Sequence, residues 1–436
     1  MVYVWTIGPM PIYSALENRK MQELPELGDA PLKQGNEVNQ EVAGFKAAAA
    51  PCGLRKDGRA DLALIVADAP VSVAGVFTTN KLAAAPVQIC RQNVKSGKAR
   101  AILANSGGAN AATGEPGLAA CRSTCQAAAR ALGCAPEQVL PCSTGVIGQV
   151  LDDAKVNAVV PKLAAGLKAM GLAEAAGAVM TTDAFKKMAR RQATIGGKTI
   201  NVVGMAKGAG MIRPDMATML CFVLTDAAAK PEALAKILSE AVEQSFNRIS
   251  VDGDTSTNDT VLLMASGKAN NPVMAADDPE LAWLTGAVTA VCQDLSTMVV
   301  ADGEGAGHLV RVRVCSAPSA AQAREVAYAI AHSPLVKTAL TGGDPNWGRI
   351  LSTAGAESAR RGHPFDETKC DLYIGSAVIA KGGLATGAEE EAKAVKVMAR
   401  PRYEIRLELG LGTEEHWVLT TDLTKAYIDI NADYRS

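Results

Sequence analysis

A glycine-rich segment in the middle of the chain carries the residues best suited to nucleophilic chemistry. It reads KGAGMIRPDMATML over residues 207–220, and its only hydroxyl, Thr218, stands at the start of an apolar run. If Thr218 became a chain terminus, its own α-amino group could act as the base for its Oγ, and no histidine would be needed. The reference pKa of an α-amino group, about 8, suits that task. The alternative is a glycine-rich turn before a core strand, with Thr218 a half-buried strand residue.

Five further polar segments could supply binding groups. The hydroxyl of Thr144 and the N–H of Gly145 could donate to a developing oxyanion, although an ordinary turn has the same sequence. Thr181 and the two residues after it are typical of the N-cap of a helix, here over 184–191. The segment 250–259 is dense in short polar side chains and fits a hydrogen-bonded turn better than a cation site. The remaining two are an acidic glycine turn at 301–305 and a polar C-terminus at 431–436.

The common nucleophilic and metal-binding motifs are missing from the sequence. It contains no G-x-S-x-G, Walker A or H-E-x-x-H pattern. Ten cysteines are too dilute for a disulfide scaffold, and the one close pair, Cys121 and Cys125, lacks the paired spacings of structural zinc. We therefore expect buried thiols in a reducing cytoplasm and no metal site. The only histidines are His308, His332, His363 and His416, all in the C-terminal third.

Composition and charge favour a globular protein with a small polar ligand. The chain has 436 residues, of which 48% are hydrophobic and 4% aromatic. This is ample material for a large core, so disorder is excluded, and the length favours two or three domains. A net charge of -1 offers no electrostatic footprint for nucleic acid or an anionic membrane. No apolar run reaches the ~18 residues of a membrane helix, so we expect neither nucleic acid nor a membrane as partner.

Alternating strand and helix patterns predict α/β layers around these segments. Near the C-terminus, 403–409 and 416–420 flank a glycine turn and predict an antiparallel hairpin. Domain boundaries are predicted near Pro231 and around 303–307. Residues 1–22 lack the features of a signal peptide and are expected to be a disordered extension outside the fold. The clearest strand patterns lie at 62–66, 71–78 and 101–104, and the clearest helical ones at 118–132, 153–170 and 232–245.

Taken together, the segments resemble the ornithine acetyltransferase family, the ArgJ-type glutamate N-acetyltransferases of arginine biosynthesis. The resemblance runs in order from about Gly44 to Ser436, and a set of separate motifs is far more specific than any one of them. The motifs are STGVIG at 143–148, KGAGMIRPDMATML at 207–220, SVDGDTSTND at 250–259, ADGEG at 301–305, GGDPNWGR at 342–349 and NADYRS at 431–436.

The resemblance implies self-cleavage and a particular fold. Family members cut themselves at the Ala-Thr bond of this motif, which here is Ala217-Thr218. The implied products are an α chain over 23–217 and a β chain over 218–436, which together form one composite fold. That fold is the layered α/β/β/α sandwich of the self-cleaving ArgJ/DmpA-like superfamily. Thr218 Oγ would attack the Ala217 carbonyl during processing and then serve as the N-terminal nucleophile.

The resemblance also assigns roles to the residues around Thr218. Thr144 and Gly145 are implied to form the oxyanion hole. We infer that Lys207 pairs with a substrate carboxylate or polarises the acyl site, and that Glu304 meets an ammonium. The positions that match the family's substrate-binding residues are Thr181, Lys207, Thr218, Glu304, Asn431 and Ser436. In one departure, the chain reads GAGH over 305–308, where family members usually read GATK.

The implied reaction is a ping-pong acetyl transfer from N2-acetyl-L-ornithine to L-glutamate through an acetyl-Thr218 ester. It needs no metal or organic cofactor, although acetyl-CoA could act as a further donor. The expected assembly is a cytoplasmic heterotetramer of two α and two β chains. Two alternatives stay open at this point. One is a self-processing aminopeptidase or amidase of the same superfamily, and the other is a non-catalytic α/β binding module with 204–210 as a nucleotide loop.

Overall fold

The computed structural model describes residues 27, 31–32, 38–213 and 219–433, in which strands and helices alternate and form two sheets. The strands are β1 (Phe45–Ala50), β2 (Leu62–Phe77), β3 (Lys98–Asn105), β4 (Val139–Ser143), β5 (Lys187–Ile195), β6 (Lys198–Lys207), β7 (Leu220–Thr225), β8 (Thr260–Ala265), β9 (Leu309–Ala317), β10 (Asp371–Ile374), β11 (Ala377–Lys381), β12 (Leu384–Ala385), β13 (Arg402–Glu408) and β14 (Glu414–Thr421). The helices are α1 (Ala85–Asn93), α2 (Gly114–Leu132), α3 (Asp153–Ala165), α4 (Leu172–Ala178), α5 (Pro231–Glu243), α6 (Leu281–Ala301), α7 (Ala320–His332), α8 (Pro334–Thr341), α9 (Trp347–Arg361), α10 (Ala388–Met398) and α11 (Lys425–Asp433).

The larger sheet has eight strands and is bent by its longest one. Its order is β4-β3-β2-β8-β7-β6-β5, with β1 paired to β2. The sequence predicts two strands at 62–66 and 71–78, but the structure joins them in β2. The register between β2 and β3 shifts between Val66 and Val71, where an exposed segment that includes Pro70 interrupts the ladder. Proline has no N–H to donate, so the strand changes direction there without losing a ladder bond.

The bent sheet folds back on itself and produces four layers. The first half of β2 pairs with β1 and β3, and its second half pairs with β8. One buried cluster fills the space between the two halves, with Ile65 and Ile102 on one side and Met205 and Phe222 on the other. The outer surface of the first half packs against α2 and α3, and that of the second against α5 and α6. This order confirms the layered α/β/β/α sandwich.

The segments on the two sides of the predicted cut lie in the same sheet. β6 ends at Lys207 and β7 begins at Leu220, and these two residues are register partners in an antiparallel pair. Both strands contribute to both cores of the sandwich, so the predicted α and β chains share one fold. The bond between Ala217 and Thr218 lies outside the described residues, and so does the extension over 1–22. Cleavage and the state of the extension therefore stay predictions.

The smaller sheet is formed by the C-terminal third of the chain. Its order is β12-β11-β10-β13-β9-β14, and α7 to α10 contribute to its core. The predicted hairpin between 403–409 and 416–420 is wrong, because β9 lies between β13 and β14, parallel to the first and antiparallel to the second. β9 is buried almost throughout and therefore occupies an interior position in the sheet. The glycine turn between β13 and β14 does not bring these two strands together as direct neighbours.

The predicted boundary near Pro231 is also wrong. Pro231 opens α5, which packs into the core of the larger sheet, and proline suits the first turn of a helix as well as it suits a linker. The segment 303–307 lies between α6, which packs on the larger sheet, and β9 of the smaller one.

Among the described helices, α6 alone is long and apolar enough on average to span a membrane, although Gln293 and Asp294 interrupt its apolar run. Its apolar window is 61% buried against α5 and the larger sheet, as in a core helix.

Candidate active site

One cavity of about 190 Å³ gathers most of the predicted site residues. It opens where the ends of β4 and β6 meet the loop after α6 and the C-terminal helix α11. The structure therefore brings together side chains that lie up to 287 positions apart in the sequence, from 144 to 431. The predicted residues that line it are Thr144, Gly145, Thr181, Lys207, Glu304 and Asn431.

Lys207, the last residue of β6, places its ammonium between two hydroxyl groups. Its Nζ donates to Thr144 Oγ1 at 2.8 Å and to Thr181 Oγ1 at 3.3 Å. The lysine is buried, with 3% of its surface exposed. Burial lowers the pKa of this ammonium below its ordinary value, and the nearby Asp183 carboxylate partly opposes the change. The contacts join three predicted site residues that come from three separate segments.

Gly145 lies in a turn that requires glycine. Its φ is +132°, and a Cβ at this position would approach the backbone nitrogen of Gly108 to 2.5 Å. Asn258 holds the same turn from the opposite side, since its Nδ2 donates to the Ser143 carbonyl at 2.9 Å. Within the described part of the chain, the Gly145 N–H has no acceptor. Thr144 and Gly145 thus border the cavity from a firmly held turn.

A buried network of charges lies beneath Lys207. Lys187 is fully buried, and its Nζ lies 2.6 Å from Asp183 Oδ1 and 2.6 Å from Asp302 Oδ2. Burial alone would raise the pKa of Asp183, but Lys187 and Lys207 hold it down at about 2. Burial raises the pKa of Asp302, and Lys187 opposes that rise. Two lysines thus face two carboxylates, and each buried charge has an opposite partner nearby, as a dry interior demands.

The same carboxylates fix the backbone beside the site residues. Asp183 accepts the N–H of Thr181 at 2.9 Å and the N–H of Gly208 at 2.7 Å. Asp302 stands two residues before Glu304, at the end of α6. Because Lys187 joins the two carboxylates, it sets the spacing between the three segments that carry the predicted substrate-binding groups.

The predicted helix over 184–191 is wrong, because β5 begins at Lys187 and runs through this segment. Thr181 to Asp183 therefore do not cap a helix, and the Asp183 side chain turns into the network instead. Sequence reasoning missed Lys187 and Asp302 as well. The four-residue spacing of Asp183 and Lys187 is typical of a helical ion pair, and the sequence carries no sign that the pair is buried.

Glu304 and Asn431 form the opposite side of the cavity. The Asn431 Nδ2 donates to Glu304 Oε2 at 2.9 Å, which connects α11 to the loop after α6. Gly210 permits this arrangement, since a Cβ there would lie 2.4 Å from the Glu304 carboxylate. No cation of the described residues forms an ion pair with Glu304. The carboxylate keeps acceptor capacity for a ligand.

Asp252 holds the loop that follows β6. Its two oxygens accept the N–H groups of Met211 at 2.6 Å and Ile212 at 2.8 Å. Burial raises the pKa of Asp252 to about 6. The segment 250–259 is therefore a hydrogen-bonded turn, as its composition predicts, and it positions the glycine-rich segment at the cavity.

The predicted nucleophile itself is not placed by the structure. Ala217, Thr218 and Ser436 lie outside the described residues, which end at Arg213 and resume at Met219. The N–H of Met219 donates to Asp259 Oδ1 at 2.9 Å. Asp259 is fully buried, and burial raises its pKa.

The segment after Glu304, which departs from the usual family sequence, is bonded to Asp422. The N–H groups of Gly307 and His308 donate to Asp422 Oδ1 at 2.8 and 3.1 Å, and His308 Nδ1 lies 2.9 Å from Asp422 Oδ2. The histidine ring is thus bonded to Asp422, the residue after β14, rather than to the Glu304 carboxylate.

The cysteines considered in the sequence analysis do not line the cavity. All ten cysteines are free thiols, and eight of them, including Cys121 and Cys125, are buried. Across 38–213 and 219–433 the structure assembles no three His, Cys, Asp or Glu side chains that could hold a metal ion.

Comparison with known proteins places the chain in one family. The model of the ArgJ family matches residues 46–436. The arginine biosynthesis bifunctional protein ArgJ of Rhizobium meliloti is 46% identical over 399 residues, which cover 91% of this chain and 96% of that protein. The ArgJ of Geobacter sulfurreducens is 43% identical over 395 residues, covering 91% of this chain and all of that protein. A crystal structure of argJ from Bacillus halodurans matches at 38% identity with a TM-score of 0.46, over 49% of this chain and 98% of that one. The chain therefore belongs to the ArgJ family.

Proposed function

We propose that this protein transfers the acetyl group of N2-acetyl-L-ornithine to L-glutamate through an acetyl-Thr218 ester. Its relatives at 43–46% identity are arginine biosynthesis proteins, and ornithine acetyltransferase activity is the function of the chain in that pathway. One observation carries the chemical argument. Lys207, Thr144 and Thr181 meet in the same cavity as Glu304, so an acyl site and a carboxylate for a distant ammonium face each other.

The first half-reaction forms the ester. The Thr218 amine takes the proton of Thr218 Oγ, which attacks the acetyl carbonyl and gives a tetrahedral oxyanion. When the C–N bond breaks, ornithine leaves as the amine, carrying the proton that the Thr218 amine had taken. Met219, bonded covalently to Thr218, directly precedes β7, whose first residue, Leu220, pairs with Lys207, and this supports attack at this end of the cavity.

The oxyanion is stabilised by Thr144 and Gly145. An ammonium can only donate, so Thr144 Oγ1 accepts from Lys207 and its own proton is free to point to the substrate. The N–H of Gly145 is the second donor, since no acceptor among the described residues occupies it. Donors held in place before the reaction lower the barrier without reorganisation. The Lys207 ammonium polarises the Thr144 hydroxyl through this bond.

Glu304 and Asn431 recognise the far end of the substrate. The ornithine ammonium binds Glu304, whose carboxylate has no cation among the described residues, and Asn431 orients that carboxylate at 2.9 Å. Ser436 completes the site from the C-terminus. In the second half-reaction the glutamate amine attacks the ester carbonyl, Thr218 Oγ leaves and regains its proton, and N-acetyl-L-glutamate forms.

The remaining features of the proposal concern processing and assembly. Thr218 Oγ attacks the Ala217 carbonyl, the ester that forms is hydrolysed, and the new amine is the catalytic base. The α and β chains stay together because they share the larger sheet, and two copies of each form a cytoplasmic heterotetramer. No metal or organic cofactor takes part, and acetyl-CoA is a second acetyl donor.

Denaturing electrophoresis and turnover test this proposal. The wild-type chain should give pieces of 217 and 436 - 217 = 219 residues. Thr218→Ala should stay in one piece and lose turnover by more than ~10⁴-fold, since both the nucleophile and its amine are lost. Thr124→Ala is the matched control, because Thr124 is a buried threonine in α2 far from the cavity. It should be cleaved and active.

The acceptor is tested separately. With N-acetylornithine alone, ornithine should appear only in an amount that matches the enzyme, and continuous release should require glutamate. Equal release without glutamate would instead identify an amidase. Full turnover by Thr218→Ala would overturn the nucleophile.

A further inference from the structure

A second and larger cavity lies outside the active site and is lined by arginines. We call it the arginine cavity and define it by Arg213, Arg324, Arg360 and Arg361. Its volume is about 670 Å³, and it lies between α7, α9 and the loop after β6. These arginines come from three separate segments, so the folded chain concentrates them.

The lining of the arginine cavity contains fewer carboxylates than arginines. Glu357 pairs with Arg360 and with Arg361, and Glu325 lies 3.9 Å from Arg361 and 2.7 Å from His363. Four arginines and two glutamates line the cavity. Arg213 pairs with no carboxylate among the described residues, and only the Gly253 carbonyl, 3.4 Å away, accepts from it. The cavity is thus a local concentration of positive charge.

The floor of the cavity is apolar. Ala321 and Ala329 on α7, Ala356 on α9 and the ring of Tyr328 lie between the arginines. Tyr328 donates its O–H to the Asn247 carbonyl, and its ring lies against the Arg324 guanidinium and the His332 ring. A volume of this size is typical of sites for organic ligands of a few hundred daltons. A lone inorganic anion would leave most of it empty.

A wall of backbone separates the arginine cavity from the active site. Met211 lines the active-site cavity and Arg213 lines the arginine cavity, on either side of Ile212. His332 closes the wall, since its Nε2 lies 2.8 Å from Ser250 Oγ, which donates to the Ile212 carbonyl. Burial and the neighbouring Arg213 lower the pKa of His332 to about 4, so the histidine is neutral and adds no charge to the lining.

We propose that the arginine cavity binds a phosphoryl-bearing ligand of nucleotide size. Guanidinium groups match phosphate oxygens through paired N–H donors, and Arg360 and Arg361 each keep donors beyond those that Glu357 uses. The alanine floor and the Tyr328 ring receive the organic part of the ligand. The site is distinct from the acetyl-transfer cavity and does not depend on the function proposed for it.

Calorimetry with the purified, processed protein tests this site without any acetyl substrate. ADP is the probe, with inorganic pyrophosphate and adenosine as its two halves. ADP should bind, pyrophosphate should bind at least about tenfold more weakly, and adenosine weakest. Affinity for ADP should fall as salt is raised. Pyrophosphate binding as tightly as ADP would overturn the requirement for an organic part.

The double variant Arg360→Gln/Arg361→Gln should weaken ADP binding by at least about tenfold, as expected for lost charge-assisted hydrogen bonds. Glutamine amides can still donate to Glu357, and both arginines are exposed, so the fold is kept. The matched control is Arg122→Gln, an exposed arginine paired with Glu115 on α2, which should bind ADP as the wild type does. Acetyl transfer should be unchanged in all three proteins.

Three results would overturn the proposal. The first is the absence of ADP binding up to millimolar concentration, and the second is wild-type affinity in the double variant. The third is competition between ADP and N-acetylornithine, which would put ADP in the active-site cavity. None of these results bears on whether the protein transfers acetyl groups.

Discussion

Two regions of the molecule bury a lysine, and they satisfy it in different ways. Beneath the active site, Lys187 is bonded to the carboxylates of Asp183 and Asp302 at 2.6 Å each. At the junction of the two sheets, Lys337 donates to Thr420 Oγ1 at 3.2 Å and to the carbonyl and hydroxyl of the next residue, all neutral oxygens. The first lysine is part of a balanced set of charges, and the second is a buried charge whose hydrogen-bond partners are all neutral.

The comparison shows that burial alone does not decide the state of a lysine. Lys187 lies between two carboxylates. For Lys337 burial lowers the pKa to about 8, although Asp422 and Asp252 oppose the change from farther away. The balanced network holds the backbone of Thr181 and Gly208 beside the cavity. The unbalanced lysine can lose its proton near neutral pH and holds α8 against β14 in either form.

The largest effect is expected from breaking the balanced network with Lys187→Met. Removal of the cation leaves Asp302 buried without an opposite charge and Asp183 with Lys207 alone, which should cost about 3–5 kcal/mol of the free energy of unfolding. Processing and acetyl transfer should fail in parallel, because Asp183, which holds the backbone of Thr181 and Gly208, loses the lysine that fixes its position. Urea unfolding monitored by circular dichroism measures the first effect.

Lys186→Met is the matched control for this variant. Lys186 is the neighbouring residue in the sequence but is exposed, so its loss should change the unfolding free energy by less than ~0.5 kcal/mol. Equal stability of the two variants would show that the network contributes nothing and would remove the distinction between the two regions.

The next effect concerns Lys337 and appears as a dependence on pH. Its pKa is about 8 in the folded protein against an ordinary value of 10.5, so between these values the unfolded chain binds more protons. The wild type should therefore gain stability relative to Lys337→Met as pH rises from 7 to 10, by at most ~3 kcal/mol. At pH 7 the two proteins should differ by about 1 kcal/mol or less, since methionine fills the space without a buried charge.

Unfolding of both proteins at pH 7, 8, 9 and 10 measures this difference, and the other titrating groups cancel in the comparison. A difference that stays constant with pH, or a decline of the wild type relative to the variant, would show that Lys337 is satisfied as fully as Lys187.

These two regions also show what a sequence can reveal. Strand β7, helix α2 and the layered α/β fold follow from local periodicity, and the cavity residues Lys207 and Glu304 follow from motifs with family resemblance. The network does not, because its members look like a surface ion pair and an acidic turn. Long-range pairing is equally hidden: β9 enters between β13 and β14 from almost 100 residues away, and no local signal outweighs the glycine turn.

The smallest expected effect concerns Asp252, a largely buried acid without a nearby cation. It extends the comparison from buried lysines to a buried carboxyl group. Asp252 accepts backbone N–H groups and, at 3.4 Å, the Tyr427 hydroxyl, and burial raises its pKa to about 6, above the ordinary 3.8. Between these values the folded chain binds more protons than the unfolded one, so the wild type should lose stability relative to Asp252→Asn as pH rises from 4 to 6. Because Asp252 is partly exposed, we expect ~1–2 kcal/mol rather than the full value for the pKa change.

Thermal unfolding of the wild type and Asp252→Asn at pH 4, 5 and 6 measures this effect, with Asp254→Asn as the control on an exposed carboxyl in the same turn. If Asp252 behaved like Asp183, whose lysines hold its pKa at about 2, the sign would reverse and the wild type would gain relative stability with pH. The direction in which relative stability changes with pH therefore distinguishes a carboxylate held by hydrogen-bond dipoles from a carboxylate held by an opposite charge. The same distinction separates Lys337 from Lys187.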